Sequence, residues 1–141
     1  MSLHLLAQDE ADLQIIAAVL QDAVAKLGGI RFDSRARTLT LAVNRYRWEA
    51  GAQKRGGERI RSALQLGGVL GVQARNLRQG APGAVVELLT VAFQPGEAPG
   101  GSVLFSFSGG GDLRAEVEAL DAVLADVSDP WPARRAPAHE G

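Results

Sequence analysis

The chain has 141 residues, no cysteine and a formal net charge of −1. This length suits a single domain, and the lack of cysteine excludes disulfides, thiolate nucleophiles and cysteine-based metal sites. A hydrophobic share of 46% is typical of a globular domain and too high for a disordered chain. The near-zero net charge argues against nucleic-acid binding, because a DNA or RNA partner calls for a basic surface.

The start of the chain lacks the basic segment and apolar stretch of a secretory signal. The longest apolar run there, Ile15–Leu20, is far shorter than the roughly 20 residues that cross a bilayer. We therefore expect a cytoplasmic protein with no membrane partner. Residues 1–130 are predicted to form one α+β domain, and residues 131–141, which contain Pro and Arg, a flexible tail.

The first elements in chain order are a short apolar strand at residues 3–7 and an amphipathic helix. Asp9 suits the N-cap position, and Leu13, Ile16 and Leu20 recur at helical spacing. A helix is therefore predicted from about residue 10 to about residue 22.

A series of strands follows the helix. Two short apolar pieces flank Gly28–Gly29, which predicts a bulge or bend. Thr38–Trp48 alternates most clearly, with Leu39, Leu41 and Val43 on one face. After a polar loop at 50–58, further strands are predicted at 59–66, 69–74, 84–93 and 102–108. Their close spacing predicts an antiparallel meander.

The last predicted element is an amphipathic helix that begins at Asp112 and ends before Pro130. An apolar stripe with a 4-3-4-3 spacing predicts it: Leu113, Val117, Leu120, Leu124 and Val127. The predicted fold class is thus α+β, with an N-terminal helix, a bent antiparallel β-meander and a C-terminal amphipathic helix packed on it. This is the plan of a pleckstrin-homology-like roll.

The candidate ligand-binding residues lie in a basic segment between Arg31 and Arg61, where nine Lys/Arg stand against three Asp/Glu. Arginine beside aromatic rings is chemistry that binds phosphates, nucleotides or single-stranded nucleic acid. The alternative is that the arginines pair with the acidic residues of the two predicted helices while the aromatic rings cap the core. The candidates are Asn44, Arg45, Tyr46, Arg47, Trp48, Arg59 and Arg61.

Three other groups of residues carry weaker signals. The glycine-rich turn Ser108–Asp112 opens a predicted helix and could hold phosphate, but it lacks the lysine of a P-loop. His4 and His139 have no neighbours at metal-ligand spacing, so no metal or cofactor is predicted. The acid pairs Asp112/Glu116 and Glu118/Asp121 are predicted to lie on a solvated helical face, and no catalytic motif occurs.

Several segments resemble an uncharacterised alphaproteobacterial family, domain of unknown function 2948. They are NRYRWE (44–49), FQPGEAPGGSV (93–103), FSGGGDLRAEVEALDAVLAD (107–126) and PW (130–131). The resemblance covers nearly the whole chain and is specific to that family. It implies a bacterial cytoplasmic protein of about this length and brings no catalytic residue, substrate or cofactor with it.

Three functions follow from the residues as competing hypotheses. The leading one is a non-enzymatic binding or adaptor domain that recognises an acidic protein surface or a phosphorylated ligand with its Arg/aromatic residues. The second is a small enzyme that clamps an anionic metabolite with arginines and uses Glu49 as a base. The third is a structural homo-oligomer in which Arg45 and Arg47 contact Glu118 or Asp121 of another copy.

Overall fold

Ten β-strands and one α-helix make up the part of the chain that the computed structural model describes, residues 3–48, 57–78 and 80–132. A short 3₁₀ turn, Ser108–Gly110, connects two of the strands. The elements are β1 (His4–Ala7), α1 (Glu10–Val19), β2 (Val24–Asp33), β3 (Thr38–Tyr46), β4 (Glu58–Leu66), β5 (Val69–Arg75), β6 (Val85–Pro95), β7 (Gly101–Phe107), β8 (Asp112–Val117), β9 (Ala122–Asp126) and β10 (Trp131–Pro132).

All strand pairs in this part of the chain are antiparallel, in the order β1-β9-β4-β3-β2-β6-β7-β8-β5, with β10 beside β4. Strand β6 belongs to both halves of the sheet: its residues 85–87 pair with β2, and its residues 88–95 pair with β7. Apolar side chains from both halves, such as Leu41 and Phe105, join one buried core. The sheet therefore folds over on itself at β6 to form two layers.

The two layers also meet at a corner where the chain passes between them twice. Gly67 and Gly68 lead from β4 to β5, and residues 118–121 lead from β8 to β9. The two connections are hydrogen-bonded to each other, from Gly67 N to Asp121 O and from Glu118 N to Gly68 O, each at 2.9 Å. Gly68 has a φ of +62°, a backbone conformation that favours glycine.

The N-terminal helix forms as the sequence predicts, although it ends earlier. Asp9 is the N-cap, and its Oδ1 accepts a hydrogen bond of 2.8 Å from the Asp12 N–H. Leu13 and Ile16 are fully buried on the face that packs against the sheet. The helix ends at Val19, because Leu20 and the residues after it turn towards β2.

The predicted C-terminal helix is wrong, since residues 112–126 form strands β8 and β9. Leu113, Ala115 and Val117 are all buried and alternate with exposed or half-buried residues, which is a strand pattern. Leu120, Ala122 and Leu124 continue it beyond the turn. The 4-3-4 spacing of the leucines and valine also fits a helix, so the small buried alanines were the only sign of the strand period.

The predicted α+β class and the pleckstrin-homology-like roll are therefore wrong as well. The described part of the chain is mostly antiparallel sheet with one α-helix at its N-terminal end. A roll of that type needs a helix after the last strand, and here the corresponding segment supplies β9 between β1 and β4. Strand β9 forms because it pairs with a neighbouring strand on each side. An isolated segment lacks these partners, so its local spacing alone does not predict the strand.

The central strands agree with the sequence-based prediction. Strand β3 pairs with β4 from Leu39↔Leu66 to Tyr46↔Arg59, so these two strands form a hairpin, as an antiparallel meander requires. The interruption predicted at Gly28–Gly29 is confirmed as a bulge in β2. The polar loop predicted at 50–58 lies mostly outside the described residues.

The end of the described chain adds to the sheet. Trp131 and Pro132 form β10, which pairs with Arg59 and Glu58 of β4. The predicted flexible tail thus begins with two residues that pair with the sheet, and residues 133–141 lie outside the described part. No helix among the described residues is long and apolar enough to span a membrane.

Gly101 tests the register of β6 and β7. A Cβ atom there would lie 2.5 Å from Gln94 O and 2.8 Å from the Phe93 ring. We expect Gly101→Ala to lower the free energy of unfolding by about 1–3 kcal/mol, because the backbone atom cannot move aside. Gly71→Ala is the control, since nothing lies within 4 Å of its added Cβ. Equal melting temperatures for the two variants in thermal unfolding would contradict the register.

Candidate functional site

Arg45 lies inside the protein, at the end of the core-facing row of β3. Its side chain and that of Asp126 are both fully buried. Arg45 Nη2 donates to Asp126 Oδ1 at 2.9 Å and to Oδ2 at 3.1 Å, while Nε donates to Ser62 Oγ at 3.0 Å. The Arg45 guanidinium also donates to the Tyr46 carbonyl oxygen at 3.2 Å. This network occupies the guanidinium within its own chain.

The Asp126 carboxylate is held in its charged form by its neighbours. Burial alone would raise its pKa, but hydrogen bonds from Ser62 Oγ at 2.6 Å, from Leu3 N at 2.8 Å and from Arg45 outweigh it. The pKa of Asp126 consequently lies below its ordinary value. The arrangement is that of a satisfied buried ion pair, which joins β3, β4 and β9 to the first residues of the chain.

Arg47 and the two aromatic residues beside it are also engaged. Arg47 forms an ion pair with Glu58, and both side chains are mostly buried. The rings of Tyr46 and Trp48 lie with centroids 4.6 Å apart at an angle of 59°. Gly57 has a φ of +70°, and a Cβ atom there would overlap the Tyr46 phenol. Arg47, Tyr46 and Trp48 therefore support the end of the β3–β4 hairpin.

The remaining candidates lie on the outer face of the sheet. Asn44 is paired with Arg61, and Tyr46 with Arg59, so all four share the face opposite Arg45. Arg59 stands between Tyr46 on β3 and Trp131 on β10. The seven predicted residues thus divide between two faces. Of the seven, Arg61 has the exposed charge, whereas Arg45 is enclosed.

The bulge in β2 borders a groove on this outer face. The register passes from Ala25↔Val43 to Ile30↔Leu41, so residues 26–29 all stand opposite Ala42. Gly29 permits the tight fold of this segment, because a Cβ atom there would lie 3.2 Å from the Lys26 carbonyl oxygen. A groove of about 400 Å³ lies beside these extra residues.

Three cations line this groove, which we call the basic groove. Its lining contains no carboxylate and no histidine, and none of the three cations forms an ion pair within the described residues. Glu87 lies on the same sheet face, beyond Val24, but does not line the groove. The lining residues are Lys26, Gly28, Gly29, Arg31, Thr40, Ala42, Arg61 and Pro82.

The glycine-rich turn does not form the phosphate site that a helix would allow. Ser108–Gly110 form a 3₁₀ turn, and Asp112 begins a strand. No helix therefore starts in this segment, and its backbone N–H groups lack the helix dipole that favours an anion.

Three of the four acidic residues in the predicted pairs have basic partners: Asp112 and Glu116 on β8, and Glu118 in the connection after it. Asp112 pairs with Arg75, and Glu118 pairs with Arg37. Hydrogen bonds from Ser102 and then Arg114 lower the pKa of Glu116. Glu97, Glu116 and Glu118 nevertheless line one open cleft of about 410 Å³, together with Arg114. Within it Glu116 is paired with Arg114, and Glu118 is paired with Arg37.

The histidines and the proposed base give no site in the described part of the chain. His4 is exposed on β1, whereas His139 and Glu49 lie outside the described residues. Among the described residues no three His, Asp or Glu side chains are grouped so that they could hold a metal ion.

Comparison with protein families gives a match over nearly the whole length of the chain. A family model with the description "Protein of unknown function (DUF2948)" matches residues 3–139. The chain belongs to this family. The resemblance seen in the sequence is thereby confirmed, and the basic groove is a feature of a DUF2948 protein. No curated protein and no solved structure matches the chain.

Sequence reasoning missed two of the three groove cations, Lys26 and Arg31. A signal for them was present, because both flank the Gly28–Gly29 pair that predicted the bulge. The sequence does not show that both residues line the same groove, since this depends on how many residues the bulge contains. Ser62, one partner of Arg45, had no sequence signal. The alternative that the arginines pair with the acidic residues of the predicted helices did point to the segment of Asp126, the other partner.

Asp126→Asn tests the buried ion pair. We expect this change to lower the free energy of unfolding at pH 7 by about 3–5 kcal/mol, because it leaves the Arg45 charge buried without its counter-ion. The folded pKa of Asp126 is lowered, so its contribution is complete above the unfolded pKa of about 4 and is lost as pH falls through the folded pKa. Urea unfolding from pH 3 to pH 7 measures both effects.

The control for this experiment is Asp129→Asn, which changes an exposed carboxylate nearby and should shift stability by less than about 0.5 kcal/mol. Wild-type and Asp126→Asn proteins that lose stability in parallel below pH 4 would contradict the role given to Asp126.

Proposed function

We propose that the basic groove binds an anion and that the protein is a non-enzymatic binding domain for a small phosphorylated ligand. The observation that carries the proposal is the convergence of Lys26, Arg31 and Arg61 on one groove whose lining has no carboxylate. Like charges held together on a surface repel one another, and a bound anion relieves that repulsion. Arginine is also well suited to phosphate, because its planar group donates two parallel hydrogen bonds.

The contrast with the other arginines supports this choice of site. Arg37, Arg45, Arg47, Arg75 and Arg114 each have a carboxylate partner in the protein. Arg31 and Arg61 have none among the described residues and are exposed. Arg35, Arg59 and Arg78 also lack a carboxylate partner among the described residues, but they do not line the groove. Arg31 and Arg61 are therefore the unpaired arginines that a ligand in the groove would meet.

The shape of the groove favours a small ligand over an acidic protein surface. A concave space of about 400 Å³ lies in the size range of small-molecule sites. Its lining carries no carboxylate or imidazole in reach of a bound molecule, and Thr40 is its one hydroxyl side chain. These features support binding rather than catalysis, since a general base must lie within hydrogen-bond reach of the proton that it removes.

The hypothesis of a structural oligomer receives less support from the same contacts. Arg45 is enclosed with Asp126, and Arg47 pairs with Glu58. Glu118 pairs with Arg37 of its own chain. An interface between copies would therefore need other residues than those the hypothesis names.

Replacing both groove arginines tests the proposal. With inorganic pyrophosphate as probe at low salt, we expect Arg31→Ala/Arg61→Ala to weaken binding at least tenfold, because each arginine supplies a charge-assisted hydrogen bond of about 1.5–3 kcal/mol. Isothermal titration calorimetry measures the affinity, and a thermal melt of each variant checks the fold.

The matched control is Arg35→Ala, which removes an exposed arginine of the same basic segment outside the groove. It should change the affinity by less than twofold. Binding that survives in the double variant, or that Arg35→Ala weakens equally, would show that pyrophosphate has no preference for this groove.

A further inference from the structure

An apolar cleft lies next to the basic groove, between the two layers of the sheet. Its volume is about 440 Å³, and no charged side chain lines it. Ile30, Phe32 and Leu39 contribute from β2 and β3, and Val72, Ala74 and Leu113 from β5 and β8. Phe32 keeps 39% of its surface exposed. An apolar space of this size that is open to solvent is suited to an apolar part of a ligand.

The cleft is open because two strand edges meet there without pairing. Residues 30–33 of β2 pair with β3 on one side and with no described strand on the other. Strand β5 is the last strand of its layer and pairs only with β8 within the described chain. This side of β2 is open beyond Gly28, because β6 begins at Val85, opposite Lys26. The described residues before β6 accept backbone hydrogen bonds only from Leu27 N and Gly28 N of β2.

The cleft and the basic groove share a wall. Gly28 and Pro82 line both cavities, and Gly28 N donates to Pro82 O at 2.9 Å. Strand β2 continues this separation, because Ile30 and Phe32 line the cleft while Arg31 lines the groove. A molecule that crosses the unpaired edge of β2 would thus pass from apolar surface to cationic surface within a few residues.

We propose that the ligand of this site is a single-chain amphiphile with an anionic head, bound as a monomer. The alkyl chain lies in the cleft between β2 and β5, and the head contacts Arg31 and its neighbouring cations in the groove. This inference rests on the proposed function, since it takes the same groove as the site of the anion. It adds the chemical class of the ligand, which the groove alone leaves open.

The first test compares two probes with the same head, dodecyl phosphate and methyl phosphate, on the full chain. Dodecyl phosphate is kept below the concentration at which light scattering detects aggregates. Each methylene buried in the cleft strengthens binding about fourfold, so we expect dodecyl phosphate to bind more than 100-fold tighter. Equal affinities would overturn this inference and leave the anion groove intact, whereas no binding of either probe would also remove the proposed function.

The head is tested with dodecanol, which has the same chain and no charge. We expect it to bind at least tenfold more weakly than dodecyl phosphate, and Arg31→Ala to remove most of that difference. Equal affinities for dodecanol and dodecyl phosphate would overturn the proposal that the basic groove binds the anionic head. If the protein binds anionic vesicles but does not bind monomeric dodecyl phosphate, the proposal that the ligand binds as a monomer is wrong.

The cleft itself is tested with Ala74→Trp, which places a large side chain in it at an exposed position of the edge strand. Dodecyl phosphate should bind at least tenfold more weakly, while methyl phosphate binds as before. Gln73→Trp is the matched control, because Gln73 pairs with Arg114 on the other face of the same strand.

Circular dichroism and a thermal melt check that Ala74→Trp folds. Should it fail to fold, Ala74→Asp serves instead, since it places a charge in the cleft without adding bulk. Unchanged affinity for dodecyl phosphate in a folded cleft variant, with Gln73→Trp also unchanged, would overturn the cleft as the site of the chain.

Discussion

The guanidinium of Arg45 lies where the apolar row of β3 would otherwise continue into the core, and it needs a partner there. Asp126 reaches it from β9, Ser62 bridges the two from β4, and the Leu3 N–H closes the carboxylate's remaining side. A charge this deeply buried is tolerated only when its hydrogen bonds are complete. The network therefore ties the start of the chain, the central hairpin and β9 into one register.

The second constraint is the bulge, which separates two kinds of surface along a single strand. Before it, β2 pairs with both β3 and β6, and its side chains alternate between core and solvent. After it, residues 30–33 keep one partner, so one side of the strand stays open. The bulge thus accompanies a cationic groove outside the sheet, while the start of β6 opposite Lys26 leaves an apolar cleft open inside it, with Gly28 at the boundary.

Prediction from the sequence succeeded where one local pattern had a single meaning. The alternation of Leu39, Leu41 and Val43 specified a strand, and Asp9 specified a helix start. It failed at residues 112–126, where leucine and valine spacing fits both periods and only pairing with β4, β5 and β7 selects the strands. The candidate arginines were recognised as a group, but their division between buried pair and open groove depends on partners far away in sequence.

The sequence by itself determined that this is a cysteine-free globular chain of one family, with an N-terminal helix, a central hairpin and a basic segment beside it. Those properties follow from composition, local periodicity and residue identity. Only the tertiary structure decided that Asp126 neutralises Arg45, and that Lys26, Arg31 and Arg61 meet without a carboxylate. The physical reason is that pairing of charges and opening of grooves depend on contacts between residues up to 81 positions apart, which no local pattern encodes.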